Sequence, residues 1–156
     1  MMRKAHATVT DPDVDISIAP ASDVVVLDMW GEGLPDLLGV HALQVEPQRW
    51  WLIDAGEKLG PIAKALGNRG ALVPIGGGLM RATLTGPGWR ATLMISGVFD
   101  AESPNFKAGD CAATLIHQCS VWIDVVNEGK AQVYFPASRL RDMQHLWALA
   151  AGDAGR

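Results

Sequence analysis

Gly76-Gly77-Gly78 is the first place where this sequence could hold an anion. A phosphate loop needs a helix N-terminus directly behind its glycines, so that free N–H groups point at the ligand. Here the alternating stretch Met80–Thr85 follows, with no Gly-Lys-Ser/Thr, and the glycines read as a flexible turn or bulge. Cys111, His117 and Cys119 are the next candidates, as metal ligands. A structural zinc site uses four ligands at short, paired spacings. Intervals of six and two on strands do not supply that, and His117 and Cys119 are expected to share one face of an extended strand as packing residues. Nucleophilic chemistry finds no better footing. Ser96, Ser103, Ser120 and Ser138 lack a Gly-x-Ser-x-Gly context, and neither cysteine has flanking residues that would activate it. His6, His41, His117 and His145 are scattered. The sequence assigns no catalytic, cofactor-binding or metal-binding residue.

What remains is tryptophan: Trp30, Trp50, Trp51, Trp89, Trp122 and Trp147, beside one Tyr and three Phe. Indole buries a large area at low entropy cost and is enriched at interface hot spots, where one ring contributes about 2–4 kcal/mol. Trp30, Trp50, Trp51, Trp89 and Trp147 are therefore the candidate interface residues. Trp50 and Trp51 are neighbours on a strand and must face opposite sides of its sheet. One can enter a core; the other needs cover, from the domain's own helices or from a partner.

The elements that carry these residues follow from their periods. Asp23–Trp30 reads as a buried strand, and Val40–Val45 and Trp50–Ala55 as two more around the turn Glu46–Arg49. Lys58–Leu66 is a short helix ended by Gly67-Asn68-Arg69-Gly70. Ala71–Ile75 and Leu79–Thr85 are strands. Gly86-Pro87-Gly88 then turns the chain into a helix over Gly88–Ile95, with Pro pre-set for a first turn. Residues 97–110 form a loop. Ala112–Gln118 and Ser120–Val126 are a strand pair or one long bent strand, and Asn127–Lys130 is a hairpin turn leading back through Ala131–Phe135. Pro136 and Ser138 open the last helix, with Leu140, Met143, Trp147 and Ala150 on one stripe. Hairpins alternate with helices without a repeated βαβ rhythm. The fold class is α+β: an antiparallel or mixed sheet with packed helices.

Length and charge bound the rest. The 156 residues predict one α+β domain over 23–150, flanked by an extended or disordered arm (1–22) and a frayed tail (151–156). In the arm, Val14, Ile16 and Ile18 alternate with polar residues, so it either frays or pairs with another surface. The net charge of −4 argues against a nucleic-acid or anionic-membrane partner. Residues 1–56 hold three cations against nine acids, a solvated acidic face or an acidic docking surface. No apolar run reaches the ~18 residues that span a bilayer. No signal peptide is evident, so a cytoplasmic location with reduced thiols is expected.

Several segments, in order, resemble one family. Val45-Glu-Pro-Gln-Arg-Trp-Trp-Leu-Ile53 resembles the strand–turn–strand "G-P-D-E-W-L-L" segment of the sarcosine oxidase gamma-subunit group. Arg81–Thr85 with Gly86-Pro87 is similar to its "R-L-x-L-S-G-P" segment. Phe106–Leu115 and Tyr134–Arg139, with the helix carrying Trp147-Ala148-Leu149, resemble its later segments. The match spans about residues 24–150. The group belongs to the folate-binding aminomethyltransferase (glycine cleavage T-protein-like) superfamily, so the resemblance implies that folate-binding-domain-like α+β fold. It also implies a non-catalytic accessory subunit that binds no cofactor itself. Larger flavoprotein and aminomethyltransferase-like partner subunits would carry FAD or FMN, NAD and tetrahydrofolate, and oxidise N-methyl amines. One departure stands out: where the superfamily commonly shows "D-(V/L)-S", this chain has Pro74-Ile75-Gly76, without the carboxylate. The alternative is a stand-alone folate- or small-molecule-binding domain of the same superfamily.

Overall fold

The computed structural model describes residues 13–94, 101 and 106–150. The parts of the arm and tail at 1–12 and 151–156, and the loop residues Ser96 and Ser103, lie outside them. The chain divides into two compact units, residues 21–79 and residues 1–20 with 80–156.

In the 21–79 unit, strands β2 (Val24–Met29), β3 (His41–Glu46), β4 (Arg49–Ile53) and β5 (Gly70–Pro74) form an antiparallel sheet in the order β3-β4-β2-β5. Leu27 lies opposite both Trp50 and Leu72, so these three share a face. Helix α1 (Leu59–Leu66), entered through a single 3-10 turn at Gly56–Lys58, belongs to the same core. Its Leu59, Ile62 and Leu66 recur at i, i+3 and i+7, and Ile62 and Leu66 are buried in one cluster with Leu27, Met29, Leu52 and Ala55. Pro61 falls in the first turn, where its missing N–H costs nothing. Gly67, at φ 60°, ends the helix.

In the second unit the sheet order is β1-β6-β9-β8-β7. It is built from β1 (Asp15–Pro20), β6 (Leu79–Thr85, of which Met80 onward belongs here), β7 (Cys111–Ile116), β8 (Cys119–Asn127) and β9 (Lys130–Pro136). The pairs β1/β6, β7/β8 and β8/β9 are antiparallel. Helices α2 (Trp89–Met94) and α3 (Leu140–Ala150) supply Trp89, Leu93, Met143 and Trp147 to a core that also takes Ala82, Leu84, Ile123, Val133 and Phe135. The α+β class is therefore as expected.

One of the two readings of the arm holds, the chain divides further than expected, and one expectation is corrected. Residues 15–20 are extended and paired rather than frayed: they pair with β6 in register from Asp15↔Thr85 to Pro20↔Met80, and Ile16 and Ile18 pack on the core. The strand-like alternation was visible, but its partner lies more than sixty positions away. A single domain over 23–150 gives way to two units, because β1 completes a sheet with strands that lie after residue 79. His117 and Cys119 do not share a strand face. Residues 117 and 118 have φ of 50° and 63°, a two-residue turn between β7 and β8, so His117 is exposed at its tip while Cys119 is buried. The open choice over residues 112–126 thus resolves as a hairpin.

The strand-to-helix corner forms as its residues dictate. Gly86 sits at φ 122°, and a Cβ there would come 2.8 Å from the Asp13 carbonyl oxygen. Its N–H donates to the Gly129 carbonyl at 3.0 Å, and the Gly88 N–H donates to Asp13 at 2.8 Å. The corner thereby ties together the starts of α2, β1 and the β8–β9 hairpin.

Candidate functional site

The described residues assemble no group of three His, Cys, Asp or Glu side chains fit to hold a metal ion. Gly76–Gly78 forms a 3-10 turn that runs straight into β6 rather than into a helix N-terminus. Both cysteines are free thiols. Burial, and then the charge of Asp124 across the β7–β8 ladder, push Cys111 up to about 11; burial raises Cys119 as well. A raised thiol stays protonated and is a poor nucleophile. Alkylation of Cys111 by iodoacetamide at pH 8 is expected to run about a hundredfold slower than that of a free cysteine peptide. The rate should climb toward pH 11 as the thiolate forms. Peptide mass spectrometry of the alkylated protein measures it, and a rate equal to the free peptide's would contradict the assignment.

Arg90 is similarly committed to structure. Its guanidinium lies 4.3 Å from the Trp89 ring centroid and donates to the carbonyls of Ala101 and Phe106, both at 2.7 Å. It also pairs with Glu128 at 3.5 Å.

Of the five candidate interface tryptophans, the structure leaves one open. Trp89 and Trp147 are core residues, 1% and 2% exposed. Trp89 donates its Nε1–H to the Glu128 carbonyl at 2.8 Å, and Trp147 stands edge-on to Phe135 at 5.8 Å. Trp51 is buried, and Trp50 is half-buried against the α1 core. Trp30 is 67% exposed. Spacing revealed the number of indoles but not which would be outward, since burial is decided by pairings distant in sequence.

Trp30 opens the β2–β3 connection, residues 30–40, which also exposes Leu34 (46%) and Leu38 (40%). The connection is pinned from below. Arg69 donates to the carbonyls of Ala65, Leu66, Glu32 and Gly33, while its own carbonyl accepts the N–H groups of Trp30 and Gly31, each at 2.9 Å. Lys58 Nζ reaches the Leu38 carbonyl at 3.0 Å. Asp36 Oδ1 accepts the Leu38 N–H at 2.8 Å, and Leu38 is held at φ 55°. Trp30 Nε1 donates to the Asn68 carbonyl at 2.8 Å.

Beside Trp30 lies a recess of about 460 Å³, lined also by Asp28, Glu46, Pro47, Gln48 and Arg49. Arg49 bridges its two acids, with Nε 2.7 Å from Asp28 and Nη1 3.1 Å from Glu46. The hydrogen bond and charge of Asp28, then the charge of Glu46, hold the guanidinium more firmly protonated than usual. The recess sets an exposed ring beside one guanidinium shared by two carboxylates. Sequence reasoning found Trp30 but missed Leu34, Leu38 and the Asp28–Arg49–Glu46 cluster. Gly31–Pro35 read only as a strand breaker, and Asp28 pairs with Arg49 only once β2 and β4 are in register.

The two units together define an α+β chain with an exposed, braced loop and no assembled reaction centre among the described residues. In fold it is similar to a chain of heterotetrameric sarcosine oxidase from Corynebacterium sp. U-96, solved in complex with pyrrole 2-carboxylate. The TM-score is 0.74 at 15% identity, covering 90% of this chain and 86% of that one. The regulatory subunit of aspartate kinase from Thermus thermophilus, in ligand-free form, has a TM-score of 0.45 at 14% identity over 87% of this chain and 97% of that chain. No protein-family model matches the sequence, and no curated protein does. The first likeness agrees with the resemblance read from the sequence motifs. No helix among the described residues is long and apolar enough to cross a membrane.

Proposed function

We propose that the chain is an accessory, gamma-type subunit of a multisubunit sarcosine-oxidase-like N-methyl amine oxidase or dehydrogenase. It stabilises or assembles the complex without an active site of its own. Larger partner subunits, flavoprotein and aminomethyltransferase-like, hold FAD or FMN, NAD and tetrahydrofolate. The observation that carries this reading is a fold likeness running over nearly the whole of two chains of comparable length, one of them drawn from a heterotetramer. The sequence motifs over residues 24–150 and the exposed Trp30 loop support it.

Co-expression with the larger subunits of such a complex from the same organism tests the reading. Stoichiometric co-purification is expected; a lone chain that ignores those subunits would sink it. Titration of the isolated chain with tetrahydrofolate, followed by tryptophan fluorescence, should give no saturable change. Micromolar saturation would favour the stand-alone folate-binding alternative.

A further inference from the structure

We propose that the Trp30 recess docks a partner protein that offers an arginine or lysine set among apolar side chains. The apolar part of the argument is local. Three large side chains, Trp30, Leu34 and Leu38, stand exposed on one short connection. Single exposed apolar residues are ordinary, but three on one connection are more than chance scatter leaves. The connection is also built to stay in place. Arg69 ties its first turn down through backbone carbonyls, Lys58 holds its end, and Leu38 keeps a positive φ that leucine rarely adopts. A preformed loop loses little freedom on docking.

Charge selects the occupant. In the recess two carboxylates, Asp28 and Glu46, share the single guanidinium of Arg49, leaving one negative charge in excess. Glu32 and Asp36 stand exposed on the adjoining loop, and residues 21–79 carry seven acids against four cations. A second copy of this chain would set like charges against each other; a basic partner surface complements them. The indole adds a matching feature. Its N–H is already satisfied by Asn68 and the ring is largely exposed, so a cation can lie over its face.

The partner's identity as a larger oxidase subunit rests on the reading above; the chemistry of the recess does not. The full-length chain is titrated with the peptide acetyl-Leu-Arg-Leu-Arg-Leu-amide, followed by tryptophan fluorescence, with the Glu-for-Arg peptide as control. Saturable binding of the Arg peptide that weakens with salt, and none of the Glu peptide, is expected. Trp30→Ala should weaken it about tenfold and the exposed-site variant Glu32→Lys severalfold, both variants keeping the wild-type circular dichroism and urea midpoint. Absence of saturation, equal binding of the Glu peptide, or an unaltered Trp30→Ala overturns the proposal. So does a chain that dimerises in sedimentation through this face and loses the dimer on Trp30→Ala. Co-expression separates the two claims. If larger subunits fail to co-purify while the Arg peptide still binds at Trp30, the subunit reading falls and the docking site stands. If they co-purify equally with wild type and with Trp30→Ala/Leu34→Ser, the docking site falls and the subunit reading stands.

Discussion

Trp89→Ala should destabilise the protein by about 4 kcal/mol, with a lower urea midpoint and an unchanged slope. Truncating a buried Trp removes its transfer free energy and leaves a cavity that the surroundings fill only in part. Here three further contacts go with it. The Glu128 carbonyl loses its donor at 2.8 Å, Phe106 loses an edge-on partner at 6.4 Å, and Arg90 loses the ring beneath its guanidinium. Because Arg90 also holds the carbonyls of Ala101 and Phe106, those two residues loosen as well. Trp89→Phe isolates the polar part. It keeps most of the ring but leaves the Glu128 carbonyl without its indole donor, for a loss of about 1–2 kcal/mol. Equal midpoints for wild type and Trp89→Ala would show that the indole does not anchor α2.

Gly70→Ala carries the second large effect, about 3 kcal/mol, for a different reason. Gly70 begins β5, opposite Met29, and a Cβ there would drive into the Asp28 carbonyl oxygen, with the Leu66 side chain at 3.2 Å behind it. Backbone cannot give way as a side-chain tip can, so β5, an edge strand, must separate from β2. Amides of residues 71–73 should then exchange hydrogen faster, as should those of Trp30 and Gly31, which depend on the adjacent Arg69 carbonyl. Hydrogen exchange read peptide by peptide distinguishes this from uniform destabilisation. Protection unchanged at 30–31 and 71–73 would exclude strand separation. Because Trp30 and Gly31 hang from Arg69, the same substitution should weaken Arg-peptide docking.

Local chemistry made most elements legible in advance. Met80–Thr85 alternates strictly, Gly86-Pro87 can only break it, and the last helix repeats its apolar stripe at i, i+3 and i+7; each appears where the period put it. The gaps share one cause, which is distance along the chain. The pairing of β1 with β6, and with it the two-unit division, leaves no trace in any local window. The turn at His117-Gln118 was hidden for a related reason. Neither residue is a usual turn former, and β7/β8 pairing over Cys111–Ile116 imposes the positive φ that composition would not select. Of the exposed β2–β3 connection, only Trp30 was singled out from sequence. Leu34 and Leu38 become meaningful once the loop is seen braced by Lys58 and Arg69, which flank α1 and lie some twenty to forty positions further along the chain.

The pairing of Pro20 with Met80 has a kinetic consequence. Joining β1 to β6 in an unstructured chain would close a loop spanning residues 21–79, an entropic cost of about 3–4 kcal/mol. The 21–79 unit removes most of that cost if it folds first, because Ala21 donates to the Leu79 carbonyl at 2.9 Å and its two ends meet. The inserted unit then acts as a template that delivers the N-terminal strand to its sheet. Slowing the template slows the whole chain: Gly70→Ala should delay formation of the β1–β6 pair even though no residue of that pair has been touched.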